Sequence, residues 1–263
     1  MSITDELNYF EEVSLLITHY NRSKSLEKLL HSLEKQNCRF KEIIVSDDGS
    51  SQLHLDQLQT LQKQYSFKLI KSNVNKGLGN NINKGQDAID TPYTLYVQED
   101  FEVTALFAGN FRNALKIMNQ ERNIDIVRLY AYFIYPTLIP YREGFSIMKY
   151  SHWCLNHIKF YYYSDHPHLR RSNFTKKFGR YVEGEKGDIT EYKMAISFLR
   201  NKGKGMFFNN FSSLFVPSYV EGELTTMERR TWTLTTNPII QVLRFIYLRF
   251  KFLKGVWDLR FLK

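Results

Sequence analysis

Two pairs of adjacent carboxylates close apolar runs in this chain, where a buried core alone would not place them. Asp47 and Asp48 follow "KEIIVS" in the segment "KEIIVSDDGS", and Glu99 and Asp100 follow "YTLYVQ" in "YTLYVQEDF". Acids gathered in one cleft repel one another unless a cation or hydrogen-bond donors compensate. Oxygen-only ligand sets favour hard ions such as Mg²⁺ or Mn²⁺, which keep several waters and bridge to phosphates. The chemistry open to such a platform is the holding of a diphosphate-bearing ligand. Singly, each pair also reads as a turn, because Asp and Gly suit turn backbone angles. Their joint placement after two strands of one sheet is what speaks for a site. A third polar group, "DHPHLRR", holds His168, Arg170 and Arg171, whose guanidiniums could grip a phosphate of a donor or of a lipid-linked acceptor, or equally form a solvated loop. "HWCLNH" spaces His152, Cys154 and His157 as a zinc site might be spaced, but without a second tight cluster ordinary packing among the aromatics is favoured.

The elements that position these residues alternate between strand and helix. "VSLLIT" (Val13–Thr18) is a continuous apolar run of the kind buried on both faces, and "HYNRSKSLEKLLHSLEKQN" follows with Leu26, Leu29, Leu30 and Leu33 at helical spacing. "KEIIVS", "FKLIKS" and "YTLYVQ" read as further strands, separated by a helix with Leu55, Leu58 and Leu61 on one side and by the glycine-opened "GLGNNINKGQDAI". This alternation predicts an α/β fold with a mostly parallel central sheet and helices on both faces. Ligands of such sheets bind beyond the carboxyl ends of the strands, where "THYNR", "SDDGS" and "QEDFE" all fall. Further on, "LFAGNFRNALKIMNQ" reads as a helix and "IDIVRLYAYFIY" as a strand. "ITEYKMAISFLRNKGK" reads as a helix with Ile189, Tyr192, Ile196 and Leu199 near one face. Residues 136–178 are rich in aromatics and give no clear pattern. "NKGLGNN" lacks the third glycine of a dinucleotide fingerprint, where Ile82 stands, which disfavours a Rossmann dehydrogenase. Lys76 in that segment could reach a phosphate or be a solvated helix-start lysine.

The order "VSLLITHYNR", "KEIIVSDDGS", "NKGLGNNINKG", "YTLYVQEDF" resembles the nucleotide-binding half of inverting glycosyltransferases of family 2, which have the GT-A fold. The resemblance is dense over the first hundred residues and looser at the later helix. It implies a nucleoside diphosphate sugar donor and a Mn²⁺ or Mg²⁺ ion bound through Asp100, in an acidic motif where Glu99 replaces an aspartate. It also implies Thr18, Tyr20 and Arg22 along the nucleotide pocket, Asp48 with Asp47 at the base, and Glu99 at the ribose. The family's general base begins a helix in the second half, which maps to Glu191, with Asp188 in reserve. Both acids also suit a helix N-terminus through its dipole. Where the family often has proline, this chain has His19.

Composition sets the outer limits. The chain has 263 residues, 43% hydrophobic and 24% charged, ordinary values for a globular protein. Two cysteines, Cys38 and Cys154, make no disulfide framework, which fits a reducing compartment. The net charge is +9, and from Pro238 to Lys263 six basic residues against the single Asp258 supply +5 of it. That tail mixes large apolar and basic side chains and suits the plane of an anionic membrane surface, or else a helix packed on the protein with its basic side wet. No basic surplus elsewhere continues a nucleic-acid footprint, so no nucleic acid is expected as partner. No run of about 18 uncharged apolar residues predicts a spanning helix, and "MSITDELNYFEEV" lacks an export pattern.

The resulting expectation is a cytoplasmic protein, peripheral on the inner face of the cell membrane. Its parts would be a nucleotide-sugar half (residues 1–105), an acceptor half of the same catalytic domain (106–217), a linker (218–237) and the basic amphipathic tail (238–263). Its acceptor would be a hydroxyl of a glycan or lipid-linked precursor of a surface polysaccharide. A non-catalytic, membrane-docked nucleotide-sugar-binding protein is the alternative. A nucleotidyltransferase is disfavoured because "THYNR" is neither glycine- nor lysine-rich.

Overall fold

The computed structural model describes residues 7–223 and 237–262. Four parallel strands, β1 (Asn8–His19), β2 (Cys38–Asp47), β3 (Lys68–Lys71) and β4 (Tyr93–Gln98), lie in the order β3-β2-β1-β4. They are joined by helices α1 (Ser23–Lys35), α2 (Gln52–Gln64) and α3 (Leu78–Gln86). The period of two along each strand divides its side chains between two cores. Leu15, Ile17, Val45, Leu95 and Val97 enter one core, with the leucines of α1 and α2, whereas Leu16, Ile44 and Tyr96 enter the other, with Ile82 of α3. Both faces are therefore covered, which is why these strands read as unbroken apolar runs.

Beyond β4 the sheet is mixed. Strand β5 (Phe101–Val103) leaves it, and helix α4 (Phe107–Gln120) buries Phe107, Phe111, Ala114, Ile117 and Met118 in the first core. The sheet continues β4-β9-β6-β10-β8-β7, formed by β6 (Ile126–Arg128), β7 (Leu138–Pro140), β8 (Phe145–Met148), β9 (His168–Arg171) and β10 (Gly205–Phe208). β9 runs antiparallel to both β4 and β6, and β10 is parallel to β6. The expected parallel sheet is thus realised in its first half and becomes mixed in its second. "IDIVRLYAYFIY" gives only the short β6, because Tyr130, Ala131 and Tyr135 turn into the cores instead of continuing the ladder.

Helices α5 (Phe174–Phe178) and α6 (Gly187–Arg200) cover the second core. α6 meets the second core with part of the expected face, Ile196 being buried and Leu199 packed against that core. Thr190, Met194, Ala195, Ile196 and Phe198 are buried, and Ile189 is exposed. Strand β11 (Phe215–Pro217) pairs with β5. Of the expected linker, residues 224–236 lie outside the described residues; just before them, Glu223 accepts hydrogen bonds from the backbone N–H of Lys24 (2.9 Å) and Ser25 (3.2 Å) at the start of α1. The last helix, α7 (Pro238–Phe261), packs on α6 and on the short 3₁₀ helix His157–Phe160.

Candidate active site

Register brings the predicted turns to one rim. His19 pairs with Asp47 across β1 and β2, and Thr18 pairs with Gln98 across β1 and β4, so the segments after all three strands emerge side by side. The two acidic pairs then part company. The Asp47 side chain accepts from the N–H of Gly49 (3.1 Å) and Ser50 (3.0 Å), from the Ser50 hydroxyl (2.5 Å) and meets His19 Nδ1 at 2.8 Å. Burial works to raise its pKa, but these hydrogen bonds outweigh it and the net shift is downward. Asp48 accepts from the N–H of Lys76 (3.0 Å) and Gly77 (2.8 Å); burial nonetheless raises its pKa. Four acids do not share one ion here, because Asp47 and Asp48 find their donors inside the fold.

His19 gives the loop its shape in place of proline. Its Nε2 accepts from the Arg22 N–H (3.3 Å) while Nδ1 faces Asp47, a pairing that suits a hydrogen on Nδ1. Asn21, at φ +52°, receives the Ser51 N–H on its Oδ1 and donates its own N–H to Ser50 Oγ, both at 2.8 Å. "THYNR" and "DDGSS" are therefore laced together. Thr18 Oγ1 lies 3.1 Å from the Tyr96 hydroxyl in the interior, whereas Tyr20 and the Lys76 side chain are exposed beside the rim.

The second pair keeps an unmet acceptor. Arg22 Nη1 lies 2.8 Å from Asp100 Oδ2 and 3.7 Å from Glu99 Oε1. One guanidinium thus faces two carboxylates. Burial, and for Glu99 the neighbouring Asp100, raise the pKa of both groups, with Arg22 opposing. Asp100 Oδ1 is buried with no hydrogen-bond partner. A buried, unpartnered carboxylate oxygen beside a second acid fits a divalent cation, and the oxygen donors suit Mg²⁺ or Mn²⁺.

Across the rim stands Glu191, in the second turn of α6. Its Oε1 accepts from the Asp165 N–H at 3.3 Å, and Asp165, His166 and Glu191 each place one potential ligand atom within 4.8 Å of the others. Gln98, the last residue of β4, reaches Asp165 Oδ2 at 3.4 Å. Burial, then the charge and hydrogen bond of Glu191, and last the charge of Asp100, push the Asp165 carboxyl well up. Burial lowers His166 to about 4, leaving a neutral ring, and lowers Arg128 to about 10, with Glu191 the foremost group opposing that drop. Asp188 sits on the exposed first turn of α6, where its Oδ1 accepts from the Ile189 N–H at 3.0 Å.

The three basic residues of "DHPHLRR" do not present themselves to an anion. They belong to β9, in the middle of the sheet, and His168 and Arg170 are fully buried. Arg170 Nη2 donates to Gln86 Oε1 (2.7 Å) and Nη1 to the Tyr181 hydroxyl, among the rings of Tyr96, Phe174 and Tyr181. Arg171 donates to the carbonyls of Ile124 (2.8 Å), Met118 (2.7 Å) and Glu121 (3.1 Å). Neither an anion grip nor a solvated loop is realised, because partners far off in sequence draw these residues into an interior strand. The same segment holds a residue that sequence pattern does not mark, Asp165, and neither does pattern mark its neighbour His166 or the buried Arg128. "HWCLNH" gathers no ligand set; among the described residues the group able to share an ion is Asp165, His166 and Glu191.

The model of the family described as "Glycosyl transferase family 2" matches residues 14–179, more than half of the chain. The chain is 29% identical over 123 residues to the cholesterol galactosyltransferase of Borreliella burgdorferi, a match covering 47% of this chain and 34% of that protein. It is 31% identical over 94 residues to the GalNAc(5)-diNAcBac-PP-undecaprenol beta-1,3-glucosyltransferase of Campylobacter jejuni, covering 35% of this chain and 30% of that protein. The matched segment thus spans about a third of these relatives. Among solved structures, S. aureus TarS in complex with UDP-GlcNAc superposes with a TM-score of 0.61 at 18% identity, over 80% of this chain and 59% of TarS, a likeness of fold. With a GT-A type α/β sheet and a family match running from β1 through α5, this chain belongs to glycosyl transferase family 2.

Proposed function

We propose that this chain transfers a sugar from a nucleoside diphosphate sugar to an acceptor hydroxyl, with inversion at the anomeric carbon and with the help of a divalent cation. One observation carries the reading: Asp100, its Oδ1 buried and unpartnered, lies just past β4, whose last residue Gln98 reaches Asp165, and the Asp165 N–H in turn holds Glu191. Tyr20, Arg22 and the turn at Asp48 would border the nucleotide, with the exposed Lys76 side chain at its edge, whereas Thr18 backs them from the interior. Asp48 keeps lone pairs beyond those given to Lys76 and Gly77, enough to accept from a base N–H. Asp100, flanked by Glu99, would hold Mg²⁺ or Mn²⁺, and the bound ion would offset the negative charge that grows on the leaving diphosphate.

Glu191 serves as the general base. The Asp165 N–H fixes one of its oxygens and leaves the other for the acceptor hydroxyl. As that hydroxyl oxygen bonds to the anomeric carbon from the face opposite the diphosphate, the carbon–oxygen bond to the diphosphate breaks and the hydroxyl proton passes to Glu191. The neutral His166 ring borders the carboxylate, and the charge of the buried Arg128 acts in its favour. The acceptor is a hydroxyl of a glycan or of a lipid-linked precursor, as the name of the Campylobacter relative supports.

Release of nucleoside diphosphate from donor in the presence of Mn²⁺ tests this reading. Glu191→Gln is expected to cut turnover by about 10²–10⁴-fold with donor affinity unchanged. Tight donor binding without turnover on glycan, lipid-linked or water acceptors, together with no effect of Glu191→Gln, would instead mark a binding protein.

A further inference from the structure

α7 is seated with its polar side inward. On the side facing the body, Asp258 is buried and accepts from the Tyr192 hydroxyl (2.8 Å) and from Lys254, and the Lys251 ammonium lies 4.9 Å over the Tyr161 ring. Phe252 meets Phe160 with ring centroids 5.8 Å apart, and Gly255 sits so close that an added Cβ would lie 2.5 Å from the Phe160 ring. The opposite side carries Leu243, Ile246, Phe250, Leu253, Trp257 and Phe261, spaced by three and four residues and all exposed, Phe250 to 67%. A helix resting on its own protein with its wet side outward would show the reverse pattern.

A loop is bolted to the same helix. The buried Lys159 donates to the carbonyls of Ser151 (3.3 Å) and His152 (3.2 Å), and its ammonium lies 4.8 Å over the Phe252 ring. The segment it fastens carries Trp153, 93% exposed, and Leu155, also exposed. We infer that α7 and the Ser151–Asn156 loop form one composite surface that docks on an anionic lipid bilayer.

Charge selects the bilayer over a second copy of the chain. The tail carries six basic residues, and its one acid, Asp258, is turned into the body. Two copies joined through this face would bring like charges together, whereas anionic headgroups meet the exposed Arg249 and Arg260 beside the apolar stripe. Exposed tryptophans suit the headgroup level, where an amphipathic ring has both environments. Among the described residues no helix is long and apolar enough to cross a membrane, so α7 lies in the interfacial plane.

Co-sedimentation of the full chain with phosphatidylcholine vesicles, with and without phosphatidylglycerol, tests this independently of sugar transfer. The wild type is expected to partition strongly to the anionic vesicles and weakly to the neutral ones. The double change Phe250→Glu/Leu253→Glu should weaken partitioning by more than about tenfold, and Trp153→Ser by about threefold or more, with nucleotide affinity unchanged in both. Equal binding to both vesicle types, or no loss in the double variant, overturns the proposal; no loss with Trp153→Ser overturns the part given to the loop. A concentration-dependent dimer broken by the double variant, without vesicle binding, would assign the face to a second copy and likewise overturn it.

Discussion

Asp100 spends one carboxylate oxygen on Arg22 and buries the other unpartnered, and that asymmetry separates it from Asp47 and Asp48. The acidic pairs were legible in the sequence, but their division of labour was not, because the donors that satisfy Asp48 come from Lys76 and Gly77, in a different loop. The pKa values of Glu99 and Asp100 are raised by burial and, for Glu99, by the adjacent charge. A group shifted this way stabilises the fold fully below its unfolded value, and the contribution is lost as pH rises through the folded value. The metal-free protein should therefore lose stability from this pair as pH climbs out of the ordinary carboxylate range. Mn²⁺, which competes with those protons, should raise the melting temperature more at each higher pH, and Asp100→Asn should flatten that trend; a pH-independent Mn²⁺ effect would count against it. Separately, Arg170→Ala should cost about 3 kcal/mol or more, from two charged hydrogen bonds and lost packing, in denaturant unfolding. Donor affinity should survive, since Arg170 faces Gln86 and Tyr181 and not a phosphate.

Among the elements, β1 to β4 and their helices declared themselves because each carries a strong period: unbroken apolar strands, and leucines at three- and four-residue spacing in α1. The second half hid itself for a definite reason. β7, β8 and β9 are three or four residues long, and β9 carries its charges into the sheet interior. No local period marks such strands; they exist through contacts with β4, β6 and β10. The glycines of α3 show the same dependence on distant partners. Gly77 takes φ +88° at the helix start, and Gly79 lets α3 approach residue 182 so closely that a Cβ would stand 2.1 Å from the Val182 carbonyl oxygen. That clash, not a dinucleotide, explains the glycine. Gly79→Ala is expected to destabilise by about 1–3 kcal/mol, read from the denaturant midpoint at unchanged slope; a neutral outcome would show that the 182 loop yields freely.

At the scale of the whole molecule, one sheet runs through both halves of the expected division and gives the second half its place opposite the first. Gln98 on β4 and Asp165 just before β9 join the rim that holds Asp100 to the helix that holds Glu191. The tail was legible as basic and apolar, but its seating was not. A helical wheel shows two sides without saying which one meets the body, and here Tyr161 and Tyr192 draw the polar side in. The proposed sugar transfer requires that a nucleoside diphosphate sugar be held through a cation at Asp100. Calorimetric titration of a panel of UDP- and GDP-sugars, with and without Mn²⁺, tests it most directly. At least one donor should bind more than about tenfold tighter with Mn²⁺, and Asp100→Asn should erase that gain. Metal-independent binding in both proteins, or no binding across the panel, would contradict it.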